Sequence, residues 1–143
     1  MAISLEQQLT NIEKKLKRKI QNALENEVAN TVIEEGRNQV QKTVYDVYPN
    51  PKKYDRTGLL KESWSIEPRT NGITIKNTRT DDKTNKYIPP VIETGIGYEY
   101  TGYGYSYEKP RPFIQNTKKQ IKQDGTHIKA LKKGLQQRGV KCE

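Results

Sequence analysis

SLEQQLTNIEKKLKRKIQNALENEVANTVIEEGRNQVQKTVYDV, residues 4–47, is the stretch that decides the fold. Apolar side chains stand at Leu5, Leu9, Ile12, Leu16, Ile20, Leu24, Val28, Val32, Val40, Val44 and Val47. Steps of mostly three and four keep them on one stripe of a 3.6-residue period, so one long amphipathic helix is predicted. Ser4 and Gln7 are spaced as a capping box at its start. Pro49-Asn50-Pro51 stops it. At 1.5 Å per residue such a helix reaches about 65 Å. Gly36 interrupts the stripe at a cost of about 1 kcal/mol relative to Ala, and a kink is expected there. A charge-laced helix with a thin stripe needs a partner: a small sheet, or the same helix in another subunit.

Downstream, Gly58 in the run Tyr54–Ser63 permits a tight turn through positive φ. Trp64, Ile66 and Pro68 alternate with polar residues, and Ile73 and Ile75 repeat the alternation. With Asn71-Gly72 between them they predict an antiparallel hairpin. Residues 77–86 contain no apolar side chain and read as a mobile surface loop. Tyr98, Tyr100, Tyr103, Tyr105 and Tyr107, spaced by two around Thr101-Gly102, predict a second hairpin with rows of aromatic rings. Tyrosine buries a large area and keeps a polar tip, so these five are the candidate interface. Apolar spacing then returns to a helical period at Ile114, Ile121, Ile128, Leu131 and Leu135, with Pro112 in the first turn. Asp124-Gly125-Thr126 divides this helical part, Thr126 capping its second piece.

The predicted fold class is therefore α+β, in a single domain over 1–143. It has a long N-terminal helix (1–48) and a small twisted antiparallel sheet with hairpins and loops (49–109). A C-terminal helical part packed on the sheet (110–138) and a frayed tail (139–143) follow.

Only 31% of the 143 residues are hydrophobic, and mean hydropathy is −1.02. A large self-sufficient core is not expected from such a composition. No apolar run approaches the roughly 18 residues of a membrane span. Net charge is +9, unevenly placed. Residues 1–48 hold seven Lys/Arg and seven Asp/Glu, 49–107 nine and seven, and 108–143 ten and three. A basic C-terminal end faces nucleic acid, an acidic partner or plain solvent.

The chemistry-bearing residues are few. His127 is the lone histidine and Cys142 the lone cysteine, which leaves no metal site or disulfide framework within one chain. Asp81-Asp82 reads as a solvated turn, and Gly95-Ile96-Gly97 has no helix of the right kind behind it for phosphate binding. No enzyme activity and no cofactor are expected. A small basic nucleic-acid-binding protein is one reading, although helix-turn-helix, zinc-finger and RNA-binding signatures are missing.

Three short blocks add another reading. Arg56-Thr57-Gly58-Leu59-Leu60-Lys61-Glu62-Ser63 resembles the R-T-G-x-L-x-x-S block of the small tail-completion proteins of long-tailed bacteriophages. Val91-Ile92-Glu93-Thr94-Gly95 is similar to that family's second block, and Pro110-Arg111-Pro112-Phe113-Ile114 to its third, the start of a final helix. The blocks occur in the family's order, with helix before and after. The resemblance implies an α+β structural protein without catalytic activity, located in the virion neck and in the host cytoplasm during assembly. It implies a ring, commonly of six copies, joining tail tube to head connector, with non-specific contact to DNA in the channel and none to membrane. Arg56, Thr57, Gly58, Leu60, Ser63, Glu93, Gly95, Pro112, Phe113 and Ile114 would then hold the fold, with Glu93 a partner for Arg56 by opposite charge.

Overall fold

The computed structural model describes residues 3–47, 57–97 and 109–143. Its long helix begins as the spacing predicts. The Gln7 N–H donates to Ser4 Oγ and the Ser4 N–H to Gln7 Oε1, both at 3.2 Å. α1 (Leu5–Ala23) passes through a π-helical turn (Leu24–Val28) into α2 (Ala29–Gln39), which ends in a second π-turn (Val40–Tyr45). The spacing explains the π-turns. Apolar positions 16, 20, 24, 28 and 32 step by four, as do 36, 40 and 44. Four residues overshoot a 3.6-residue turn by about 40°, so the stripe would wander off the core. A wider turn holding an extra residue brings it back.

Gly36 has a packing role. It lies buried within α2, and a Cβ there would stand 2.6 Å from the Trp64 ring. Its missing side chain admits the tryptophan.

Among the described residues the sheet is one hairpin, β1 (Trp64–Arg69) against β2 (Gly72–Asn77), with Arg69 paired to Gly72. The turn is thus Thr70-Asn71, one residue earlier than Asn71-Gly72 suggested. Gly72 belongs to the ladder, and its carbonyl accepts the Gln21 amide at 2.9 Å, tying the hairpin tip to α1. Before the sheet comes the single turn α3 (Leu59–Glu62), entered through Gly58 at φ 75°. A Cβ at Gly58 would meet nothing within 4 Å, so the cost of a side chain is backbone strain alone. Gly58→Val is expected to lower stability by about 1–3 kcal/mol, read from the urea midpoint. An unchanged midpoint would contradict that reading.

The loop after β2 is not free. Asn77 is fully buried. Its amide donates to the Leu60 carbonyl at 2.6 Å, and its own carbonyl accepts the Tyr87 hydroxyl at 2.6 Å. Asp81 Oδ1 accepts the N–H groups of Lys83 and Thr84. α4 (Pro89–Thr94) follows and ends at Gly95, φ 72°.

α5 (Phe113–Asp124) and α6 (Thr126–Gln137) meet at Gly125, φ 63°. Pro112 stands outside α5 as its N-cap residue, and Gly125 precedes α6 as the N-cap residue, so neither Pro112 in the first turn nor a Thr126 cap is realised. Asn116 reaches Thr43 Oγ1 at 3.2 Å, while Gly134 sits on Ala23 and Glu27. The helix pair therefore runs back antiparallel along the long helix. α6 closes with a Schellman motif: Gly139 takes φ 82°, and the Val140 N–H donates to the Leu135 carbonyl at 2.9 Å. The Gln136 amide also bonds the Cys142 carbonyl at 3.4 Å, so the tail is folded back rather than frayed.

The class is α+β. The core gathers Val40, Val44, Leu60, Ile92 and Phe113, with Tyr45, Trp64, Ile88 and Ile114 packed around it. The last helices lie mainly along the long helix. They touch the sheet where Phe113 meets Trp64 edge to face, ring centroids 6.3 Å apart.

Candidate functional site

The sequence blocks converge. Leu60, Ile92 and Phe113, one from each block, belong to the same buried core cluster. Glu93 caps α5 from a distance: its two carboxylate oxygens accept the N–H groups of Ile114 (3.0 Å) and Gln115 (2.9 Å). Those are orphan donors of a helix start, where a negative charge also suits the macrodipole. Arg56, the partner expected for Glu93, lies outside the described residues. Thr57 Oγ1 accepts the Leu59 N–H at 3.3 Å. Ser63 joins the sheet through its main chain, its carbonyl accepting from Thr78 at 2.8 Å. Gly95 supplies the left-handed residue after α4. These residues occupy positions that hold the fold. The candidate interface at Tyr98, Tyr100, Tyr103, Tyr105 and Tyr107 lies outside the described residues.

Two surfaces are not consumed by the fold. The first is the N-terminal arm. From residue 3 to residue 18 every position is exposed. The apolar stripe there is open: Leu5 70%, Leu9 52%, Ile12 61% and Leu16 41% exposed. Burial begins where α6 arrives, at Ala23. The arm keeps its helix because it continues a packed one, which already supplies the costly nucleus. The strip leaves four large apolar side chains uncovered by the rest of the described chain.

The second surface is the outer side of α5 and α6. Lys118, Lys119, Lys122, Lys129, Lys132 and Lys133 are all exposed, and none forms an ion pair with another described residue, although the Lys133 charge helps to lower the Glu27 pKa. The acidic residue of these helices, Asp124, is bonded by the Gln120 amide at 2.7 Å. On the inner side, Arg138 pairs with Glu27 at 2.9 Å. That guanidinium holds the Glu27 carboxyl below the usual carboxylate range, against the opposing effect of burial.

Composition alone missed where the stripe is covered. The signal was present in small residues: Ala23, Ala29 and Gly36 mark the covered half, and the first such helix position is 23. The Asp81-Asp82 pair serves its own loop. Hydrogen bonds from Thr84 and Lys83 lower the Asp81 pKa, and Arg79 lowers that of Asp82. Among the described residues no group of three His, Cys, Asp or Glu could hold a metal ion, and no helix is long and apolar enough to cross a membrane.

Residues 8–137, nearly the whole described fold, match the protein family YomN. The chain belongs to the YomN family. It is similar to the SPbeta prophage-derived protein YomN of Bacillus subtilis (strain 168), 39% identical over 117 residues and covering 81% of each chain. That kinship makes it a phage-derived protein. No solved structure matches it.

Proposed function

We propose that this protein is a non-catalytic structural component of a phage particle, joining the tail tube to the head connector as a ring of several copies. The observation that carries this reading is the exposed stripe Leu5, Leu9, Ile12 and Leu16. A phage-derived chain with little core of its own presents a ready docking edge beyond its folded body. The ordered blocks that resemble tail-completion proteins support the same reading, and so does their convergence on one core.

Leu9→Glu combined with Ile12→Glu tests it. Both sites are exposed, so the isolated chain should melt within about 2 °C of wild type. Introduced into a phage that carries the gene, the pair should leave filled heads and unjoined tails, because apolar anchors often carry about 2 kcal/mol each at an interface. Normal particles from this variant, or from a strain lacking the gene, would overturn the proposal. A small basic nucleic-acid-binding protein is the second reading, favoured by the unpaired lysines. Normal particles with salt-sensitive DNA binding would favour it.

A further inference from the structure

We infer that the outer face of α5 and α6 is a docking surface for the phosphate backbone of duplex DNA, without sequence preference. The proposal deepens the structural-joining reading by naming a partner, yet it stands on this face alone. Ten Lys/Arg fall between 108 and 143, and the fold uses few of them. Arg111 is buried, and Arg138 is occupied by Glu27 and the Gly134 carbonyl. Among the described residues the lysines at 118, 119, 122, 129 and 132 make no ion pair, and Lys133 adds only a minor charge effect on Glu27. Their mutual repulsion opposes folding.

Their spacing follows the helix surface. On α5 the trio 118, 119 and 122 lies opposite the buried trio Phe113, Thr117 and Ile121. On α6 the trio 129, 132 and 133 lies opposite the face of Gly134. The two helices run from the level of Thr43 to that of Ala23 on the long helix. The lysines run from 118 to 133, fifteen steps of at most 1.5 Å, so the basic strip is no longer than about 23 Å. One turn of duplex is about 34 Å, so the strip spans about two thirds of a turn. All six cations are lysines, mobile point charges suited to phosphate contact, and no arginine fork is present on this face to read bases. A prophage relative implies a genome carried as DNA, which selects duplex DNA among polyanions.

The test is fluorescence anisotropy of the full chain with a labelled duplex of about 20 base pairs, titrated from 50 to 200 mM KCl. Five or six phosphate contacts give a plot of log K against log salt with a slope of about −5. Lys118, Lys119 and Lys122 changed together to Gln should make the slope shallower by about 2 to 3, and so should Lys129, Lys132 and Lys133. The matching Lys→Arg triples keep the charge and should keep the slope, which separates lost charge from a damaged helix. Lys14, Lys15 and Lys17 changed to Gln on the arm should shift it by less than about one. A second duplex of unrelated sequence should bind within about twofold.

The proposal falls if wild type shows no salt-dependent binding, if neither α5 nor α6 triple changes the slope, or if the arm triple changes it as much. Triples that bind DNA normally but fail to join particles would overturn it in favour of an acidic protein surface. Failure of the joining reading would appear in particles and leave the anisotropy unchanged.

Discussion

Phe113→Ala is expected to remove about 3–5 kcal/mol of stability, enough to leave a small domain largely unfolded near 37 °C. Phe113 is the sole phenylalanine of the chain and is fully buried. It shares one buried cluster with residues far apart in sequence: Val40 and Val44 of the long helix, Leu60 of α3, and Ile92 of α4. It also meets Trp64 at an interplanar angle of 83°, an edge-to-face pair worth about 0.5–1.5 kcal/mol beyond the area it buries. Glu93 fixes where the ring enters, because it binds the N–H groups of the two residues after it. Truncation therefore opens a cavity within the cluster that gathers a residue from each of the three blocks. Phe113→Leu keeps most of the volume and should cost less than half as much. Ile96→Ala, at a site 76% exposed, should stay within about 0.5 kcal/mol. Guanidinium unfolding of the three variants checks the order. Equal losses for Phe113→Ala and Ile96→Ala would mean that the core lies elsewhere.

The parts of this fold that were legible in the sequence are those set by local rules. Ser4 and Gln7 cap because their spacing suffices, and the stripe from Leu5 to Val44 gives a helix because period alone demands it. The strands at Trp64 and Gly72 follow from alternation. The turn slipped by one residue because Gly72 is held in the ladder while Gln21 binds its carbonyl, a long-range bond with no local trace. α4 was hidden by its length, since six residues are too few for a helical period to show, although the opening Pro89-Pro90 suits a first turn whose N–H groups have no intrahelical partner. The charge match of Glu93 to Arg56 lies outside the described residues, while the helix-start N–H groups that Glu93 does bind leave no local trace in the sequence. At the candidate surfaces the basicity of the C-terminal end was readable, but its layout on the outer face was not. Which half of the stripe stays open depended on how far α6 reaches, a tertiary fact.

Gly134 decides how far α6 reaches. A Cβ at Gly134 would stand 2.9 Å from the Ala23 Cβ and 2.8 Å from Glu27 Oε2. The first of these atoms is fixed to the backbone of α1, so the two helices must separate to admit any side chain. In an open helix, replacing Gly would gain up to about 1 kcal/mol from propensity. Here Gly134→Leu is expected to lose about 2–3 kcal/mol net, since overpacking outweighs that gain. The loss carries a pH signature. Arg138 donates to Glu27 Oε1 at 2.9 Å, and both side chains are about one quarter exposed. The Glu27 pKa is lowered chiefly by that bond. A carboxyl whose pKa is lower folded than unfolded stabilises the fold above its unfolded value, and that stability disappears as pH falls through the folded one. Displacing α6 takes Arg138 away, so the variant lacks this contribution at every pH. The gap between wild type and Gly134→Leu should therefore narrow as pH drops from 6 to 3. Urea midpoints at the two ends of that range measure it. A variant more stable than wild type at pH 6 would show that propensity wins and that α6 does not pack closely on Ala23.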